Sequence, residues 1–523
     1  MTATQAPARP PARPMAPRAR RVVPPATGRL LWLELRRNAM PWILPLIAVL
    51  FWFDSYRPST AMPPIWALRT FWNMGQGHTI IDFGPFVSGV AAWMGSREGR
   101  RGAADLVTGA ARPRWAAQLT TWAATAIWAV GAYLVFVAVL FGVYAHQGVQ
   151  GSPSWWWVAV GAAAVTAFSA AGFAVGALYP SRFAAALAAF GAFLALVMSS
   201  QTGFSHTSGW ALILPTNSNG NYQPVSGIFY PYLPDLPIAR VMFLAGVAAA
   251  ALGLAGLPAR AGGPWLRRAA AAVTLAGVAS AGTAIGLAGT ARPSPHGMVI
   301  PALHDAANDR PIRYTPVCGH AAGIPVCLNP AYRSILPDAT AALGPVLGEV
   351  AGLPGAPARA TQVAGVYSGG EGGGGQAVTI SGHPPVLRMP LDADNLPGAF
   401  GGTATQFTEQ LRLMTVHEFV GAGAGAGTMA QQAVQAALLQ GAGLPFATQP
   451  ILLAHLGLPS WAVPTMREQA REQGSEHAPS RATGPVYTAA RRFAALPPTT
   501  RHAWLAAHLG ALRSGQLTLG ELP

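Results

Sequence analysis

Lysine is missing from the 523 residues, and all 34 basic side chains are arginine. A Walker A loop, GxxxxGK[ST], places a lysine on the nucleotide phosphates, so this chain is not itself a P-loop ATPase. Charge is scarce as well: 10% of residues are charged, against about a quarter in an ordinary soluble protein. There is no Gly-x-Ser-x-Gly elbow, no catalytic pair of carboxylates and no His-Glu-x-x-His motif. The expectation is of a protein without its own catalytic constellation, cofactor or metal. Only two cysteines occur, both late in the chain.

What is present is apolar. Hydrophobic residues make up 51% of the chain, which places it in the membrane class. Residues 1–290 carry 20 arginines against 6 acidic residues, whereas residues 291–523 carry 14 against 13. The basic excess therefore belongs to the apolar part. Its arginines flank apolar runs instead of interleaving with aromatics, which points to anionic lipid and away from nucleic acid. Three domains follow: a basic tail over 1–28, a transmembrane domain over 29–290, and an extracytoplasmic soluble domain over 291–523. The tail is Pro, Ala and Arg without apolar periodicity, so it cannot bury a core. It also lacks the apolar stretch of a signal peptide.

A helix needs about 20 apolar residues to cross the hydrocarbon core. Seven windows qualify as candidates: 40–54, 79–95, 115–145, 155–178, 183–202, 237–257 and 269–290. The expected fold is an all-α polytopic domain of six or seven transmembrane helices. Arginines accumulate on the cytoplasmic side of membrane proteins. With a cytoplasmic N-terminus, the inner segments 1–38, 95–114, 179–183 and 258–268 hold 8, 5, 1 and 3 arginines, 17 in all, and the outer loops 54–78, 146–154 and 203–236 hold 2. Arg240 falls at the edge of the sixth window. Seven crossings put residues 291–523 outside the cytoplasm, in a multi-pass protein of the cell membrane. Trp155, Trp156 and Trp157 at one interface and Trp115 at the other agree with this. Gly172 and Gly176 form a small-xxx-small pair, suited to close packing within the chain or to a dimer face. Asp82 and His78 lie at the outer end of the second window and read as solvated interfacial groups. No run of buried ionisable residues marks an ion path.

Two cytoplasmic stretches carry the functional signal. Residues 29–39, RLLWLELRRNA, alternate Leu30, Leu31, Trp32, Leu33 and Leu35 with Glu34, Arg36 and Arg37, as a short helix lying in the interface does. After the second window comes GSREGRRGAADLVTGAARPRW. Basicity alone demands only arginines here, yet Glu98, Asp105 and Leu106 accompany them. On Leu33 to Arg37 and Arg97 to Arg114 the chain resembles the permease subunits of type-2 ABC exporters, over about residues 29–260. The resemblance implies an interfacial elbow helix and a coupling segment in which Glu98, Arg100, Arg101, Gly102, Asp105 and Leu106 dock on a separate ABC ATPase. It further implies a homo- or heterodimer of membrane domains. A seventh span and a long external appendage depart from the family's six-span pattern. A membrane-anchored external binding or assembly protein, or a degenerate peptidase-like membrane enzyme, are the alternatives.

The external part holds Cys318 and Cys327 within YTPVCGHAAGIPVCLNPAYR. Outside the cytoplasm thiols oxidise, so a disulfide is expected, and zinc held with His320 is the alternative. Met298–Ile300 and Ala377–Ile380 look like strands, and Gly369–Gly375 like a loop. Leu343, Leu347 and Val350 repeat at helical spacing, as do Phe407, Leu411 and Met414. A last helix through Trp504, Leu505, Leu509 and Leu512 is expected to be capped by Thr499 or Thr500 and closed by Gly515. The domain is therefore α+β or mainly α. His417 and Glu418 begin a His-Glu-x-x-His pattern, but position 421 is glycine. Without a second histidine on the same helix face no zinc pair forms. His383, His502 and His508 are scattered and read as surface residues.

Overall fold

The computed structural model of the protein describes residues 27–75, 77–100, 113–202, 208–217, 228–258, 263–294, 297–364, 378–391, 396–399, 402–421, 427–449 and 484–523. A helix stands at each of the seven apolar windows. After the amphipathic helix α1 (Thr27–Arg36) come α2 (Met40–Ala61), the short α3 (Trp66–Thr70) and α4 (His78–Gly95). Then follow α5 (Arg114–His146), α6 (Trp155–Leu178), α7 (Ala184–Thr202), the short α8 (Gly209–Ile213), α9 (Asp235–Gly256) and α10 (Gly263–Gly289).

Four of these, α5, α6, α9 and α10, are long and apolar enough to cross a membrane by themselves, and α1 with α2, bent by 55°, makes a fifth. That is fewer than the six or seven expected from the sequence. The shortfall has a physical reason. Helix α4 spends positions on His78, Asp82, Ser88 and Pro85 and has only 18 residues; it lies between α6 and α7 and is largely buried by them. The apolar run of α7 is also short, Ala184–Ser200.

The Gly172/Gly176 pair is used inside the chain. A methyl group on Gly172 would stand 2.1 Å from the Ser88 carbonyl oxygen, and one on Gly176 2.0 Å from that of Ala92. Only glycine lets the backbones of α4 and α6 come this close. Gly246 and Gly277 do the same for α9 and α10.

Beyond α10, strands β1 (Arg292–Ser294) and β2 (Gly297–Val299) form a small hairpin, where an isolated strand at Met298–Ile300 was expected. The C-terminal domain is built on a five-stranded mixed sheet of β3 (Val317–Ala321), β4 (Ile324–Leu328), β5 (Arg359–Val363), β6 (Thr379–Ser381) and β7 (Val386–Pro390) in the order β3-β4-β5-β7-β6. Helix α11 (Leu336–Val350) makes the parallel crossover from β4 to β5 and packs on β3 and β4. Helices α12 (Ala404–Phe419), α13 (Met429–Gly441), α14 (Pro485–Ala494) and α15 (Pro498–Arg513) complete an α+β domain. Leu343, Leu347, Val350, Phe407 and Leu411 are buried as their spacing predicts.

Cys318 and Cys327 face each other across the β3/β4 hairpin and are disulfide-bonded. In that bond neither sulfur is a thiolate that could bind zinc. The two-residue turn Ala322-Gly323 has positive φ at both positions, as a type I′ hairpin requires. Thr499 and Thr500 do not cap α15, which starts earlier, at Pro498, because a proline at the first helical position sacrifices only an amide that has no helical partner. Gly515 closes it with φ +70°. The Gly369–Gly375 loop lies outside the described residues.

The apolar helices and the C-terminal domain share a core. Met62, Ile65 and Leu68, between α2 and α4, and Ile228 and Phe229, ahead of α9, are buried among Val326, Leu328, Tyr332, Leu343, Leu387 and Phe407. The Ile312 amide donates to the Phe229 carbonyl at 2.7 Å. Residues 57–75, 146–154 and 228–234 and the C-terminal domain thus lie at one end of the helices, and α1 and the Arg97–Arg100 turn at the other.

Candidate functional site

The end of the bundle opposite the C-terminal domain is built around the turn Arg97–Arg100, which follows α4 after Ser96. Glu98 Oε2 accepts from Arg114 Nε at 3.1 Å, so the first turn of α5 is fastened to the start of the segment that precedes it. Arg97 donates to Glu34 Oε1 at 2.7 Å, which ties α1 to the same turn. Arg100 lies 3.4 Å over the Trp93 ring and donates to the Trp93 carbonyl at 2.8 Å and Ser96 Oγ at 3.1 Å. Gly99 is pressed against Pro180, where a Cβ would fall 2.3 Å from the proline Cβ. The link between α6 and α7 therefore bears on the turn as well.

Neighbouring contacts anchor the same end. Trp128 Nε1 donates to the Leu35 carbonyl at 3.0 Å, and buried Asn38 donates to Thr125 Oγ1 at 2.9 Å while its own oxygen caps the Met40 amide. Trp115 Nε1 donates to the Leu252 carbonyl at 3.1 Å. Of the six coupling residues read from the sequence, the structure brings Glu98 and Arg100 to this turn. Arg101, Gly102, Asp105 and Leu106 lie outside the described residues. What the sequence reading missed is Glu34, whose partner Arg97 is 63 positions away; the one available signal was a lone carboxylate among the arginines of α1.

A second polar group sits where the far part of α2 meets the start of α4. Asp82 is buried and accepts from Ser55 Oγ at 2.8 Å. His78 Nδ1 lies 2.8 Å from Asp54 Oδ2, and Trp72 stacks on the imidazole at 4.4 Å. Asp54 and Ser55 stand on a π-helical turn, Trp52–Tyr56, a distortion that widens the helix and turns both toward α4. Asp82 is consequently a packed group and not the solvated interfacial residue expected. Arg240, near the start of α9, is likewise fully buried. It donates to the carbonyls of Leu212 at 2.9 Å and Asn217 at 2.8 Å, so it holds the short α8 segment in the bundle.

The His417–Glu418 fragment is structural. The His417 imidazole lies 3.2 Å from Gln435 Oε1, Glu418 accepts from the Ile380 amide at 3.0 Å, and the helix stops before Gly421, whose φ is +76°. Among the described residues no group of three His, Cys, Asp or Glu side chains is placed to hold a metal ion. An apolar groove of about 490 Å³ runs between α9 and α10, lined by Trp210, Phe243, Leu254, Val278 and Ile285 among others, without a charged side chain. Comparison with known protein families, with curated proteins and with solved structures gives no match to the chain.

Proposed function

We propose that the chain is the membrane subunit of an ATP-driven exporter, working with a separately encoded ABC ATPase and as a dimer of membrane domains. The observation that carries this reading is the bracing of the Arg97–Arg100 turn: ion pairs to α1 and α5 and a glycine contact to the α6–α7 link. A force applied to that turn is delivered to four helices at once, which is what docking an ATPase on the segment would require. A basic loop held only by the positive-inside rule would need none of these partners.

In this reading all seven helices cross the bilayer, the arginine-rich end faces the cytoplasm, and the external domain stands outside. The chain supplies the path, and ATP hydrolysis on the partner tilts the helices about the turn. The small apolar residues of α9 and α10 carry no group that would select one substrate over another.

The test is to purify the tagged full-length chain from its native membrane and measure ATPase activity that co-purifies. The expected result is activity with the wild type and loss of most of it in the Glu98→Ala/Asp105→Ala double variant, with unchanged thermal unfolding. Equal activity in both would remove these residues from the docking role, and none in either would overturn the reading.

A further inference from the structure

The sixth apolar helix begins with a carboxylate that has no water around it. Asp235, the first residue of α9, is fully buried. Its Oδ2 accepts from the Ile300 amide at 2.9 Å and lies 3.2 Å from His304 Nδ1. The other ring nitrogen, Nε2, lies 3.1 Å from Asp309 Oδ2. The imidazole therefore bridges a carboxylate of the membrane domain and one of the 3₁₀ turn Ala306–Asp309, which opens the path into the external domain.

A neutral imidazole has one N–H and can donate to only one of these carboxylates. The imidazolium has two and serves both. The groups that face His304 are Asp235 from α9 and Asp309 from the turn; Asp305 is engaged in capping the Ala307 amide at 2.9 Å. The apolar side chains of Leu236, Ala239, Ala284, Met298 and Ile300 pack together at this joint.

We propose that His304 is a proton-operated clamp between the membrane helices and the external domain: with its proton it joins Asp235 to Asp309, and without it the turn Ala306–Asp309 is released. The two carboxylates hold the imidazole above the ordinary histidine range, the hydrogen bond to Asp309 contributing most and partial desolvation opposing it. Because the folded-state value is raised, the clamp is fully closed below the ordinary histidine value of about 6.5 and opens as pH rises through the folded value. Of the two links, the one to Asp309 is lost first, since Asp309 is half exposed and water replaces its donor, whereas Asp235 is sealed in and keeps the remaining N–H.

Hydrogen exchange of the full-length protein in lipid nanodiscs tests this, with the segment 300–313 followed from about pH 6 to about pH 9 after correction for the intrinsic pH dependence. Protection of that segment is expected to fall severalfold across this window, while that of α11 stays constant. His304→Gln, which donates to one carboxylate and does not titrate, should flatten the profile. Asp309→Asn, an exposed and conservative change, should move the midpoint down by about one pH unit. A wild-type profile without a step would overturn the clamp, as would a His304→Gln or Asp309→Asn profile identical to it.

Discussion

Replacing Gly176 by leucine is expected to abolish the packing of α4 on α6 and to yield little folded protein. The new Cβ would stand 2.0 Å from the Ala92 carbonyl oxygen, a backbone atom with no rotamer to yield. The two helices must then separate along their length. Gly172, one turn earlier, meets Ser88 in the same way, so separation at either point lifts the other contact too. Ser88 Oγ, which donates to the Ala188 carbonyl at 3.2 Å, links this pair to α7. Overpacking a core costs typically 1–3 kcal/mol where side chains can shift; with backbone as the obstacle we expect about 3 kcal/mol or more. Thermal unfolding in detergent reads the loss. Gly131→Leu on α5, where no atom lies within 4 Å of the new Cβ, serves as the control and should change stability by about 0.5 kcal/mol at most. A Gly176→Leu variant as stable as that control would contradict the helix pairing.

Arg69→Ala should detach the segment between α2 and α4 from the C-terminal domain. Arg69 is 3% exposed, on α3. Its guanidinium donates to the carbonyls of Pro63 at 3.2 Å, Met62 at 2.7 Å and Thr60 at 3.3 Å, and to Gln147 Oε1 at the end of α5. It also lies over the Tyr144 ring at 5.1 Å. Alanine leaves those neutral acceptors buried without a donor, and the expected destabilisation is about 1–3 kcal/mol, the cost of leaving buried polar groups unsatisfied. The loop so held delivers Met62, Ile65 and Leu68 into the external core, so the same variant should expose the external domain to protease while the helices persist. Arg69→Lys restores only part, because an ammonium group cannot reach the acceptors with the fixed fork of a guanidinium. Unchanged protease resistance in Arg69→Ala would show that the loop is held by its apolar contacts alone.

Much of this architecture is legible in the sequence because hydropathy records burial in lipid. The ends of α5, α6 and α7 fall within a residue or two of the windows read from composition, and the buried positions of α11 and α12 follow their helical spacing. What stays hidden depends on contacts between distant segments. Met62, Ile65 and Leu68 look like apolar residues stranded in a loop; their burial needs Val326 and Leu343, more than 250 positions later. Asp82 reads as an interfacial acid until Ser55 is placed beside it by a π-helical turn. Thr499 and Thr500 have the chemistry of caps but lose the position to a proline. At the candidate site the sequence supplies Glu98 and Arg100, while the contacts that brace the turn run to Glu34, Arg114 and Pro180.

The proposed function requires the bilayer to separate the Arg97–Arg100 turn from the C-terminal domain. The chain has no free cysteine, so single cysteines can be introduced without altering the background. Ser181→Cys, exposed on the α6–α7 link, and Thr499→Cys, exposed on the external domain, report the two ends. A membrane-impermeant maleimide applied to intact cells should label Thr499→Cys at once and Ser181→Cys only after permeabilisation. Labelling of both in intact cells, or of Ser181→Cys alone, would contradict the account.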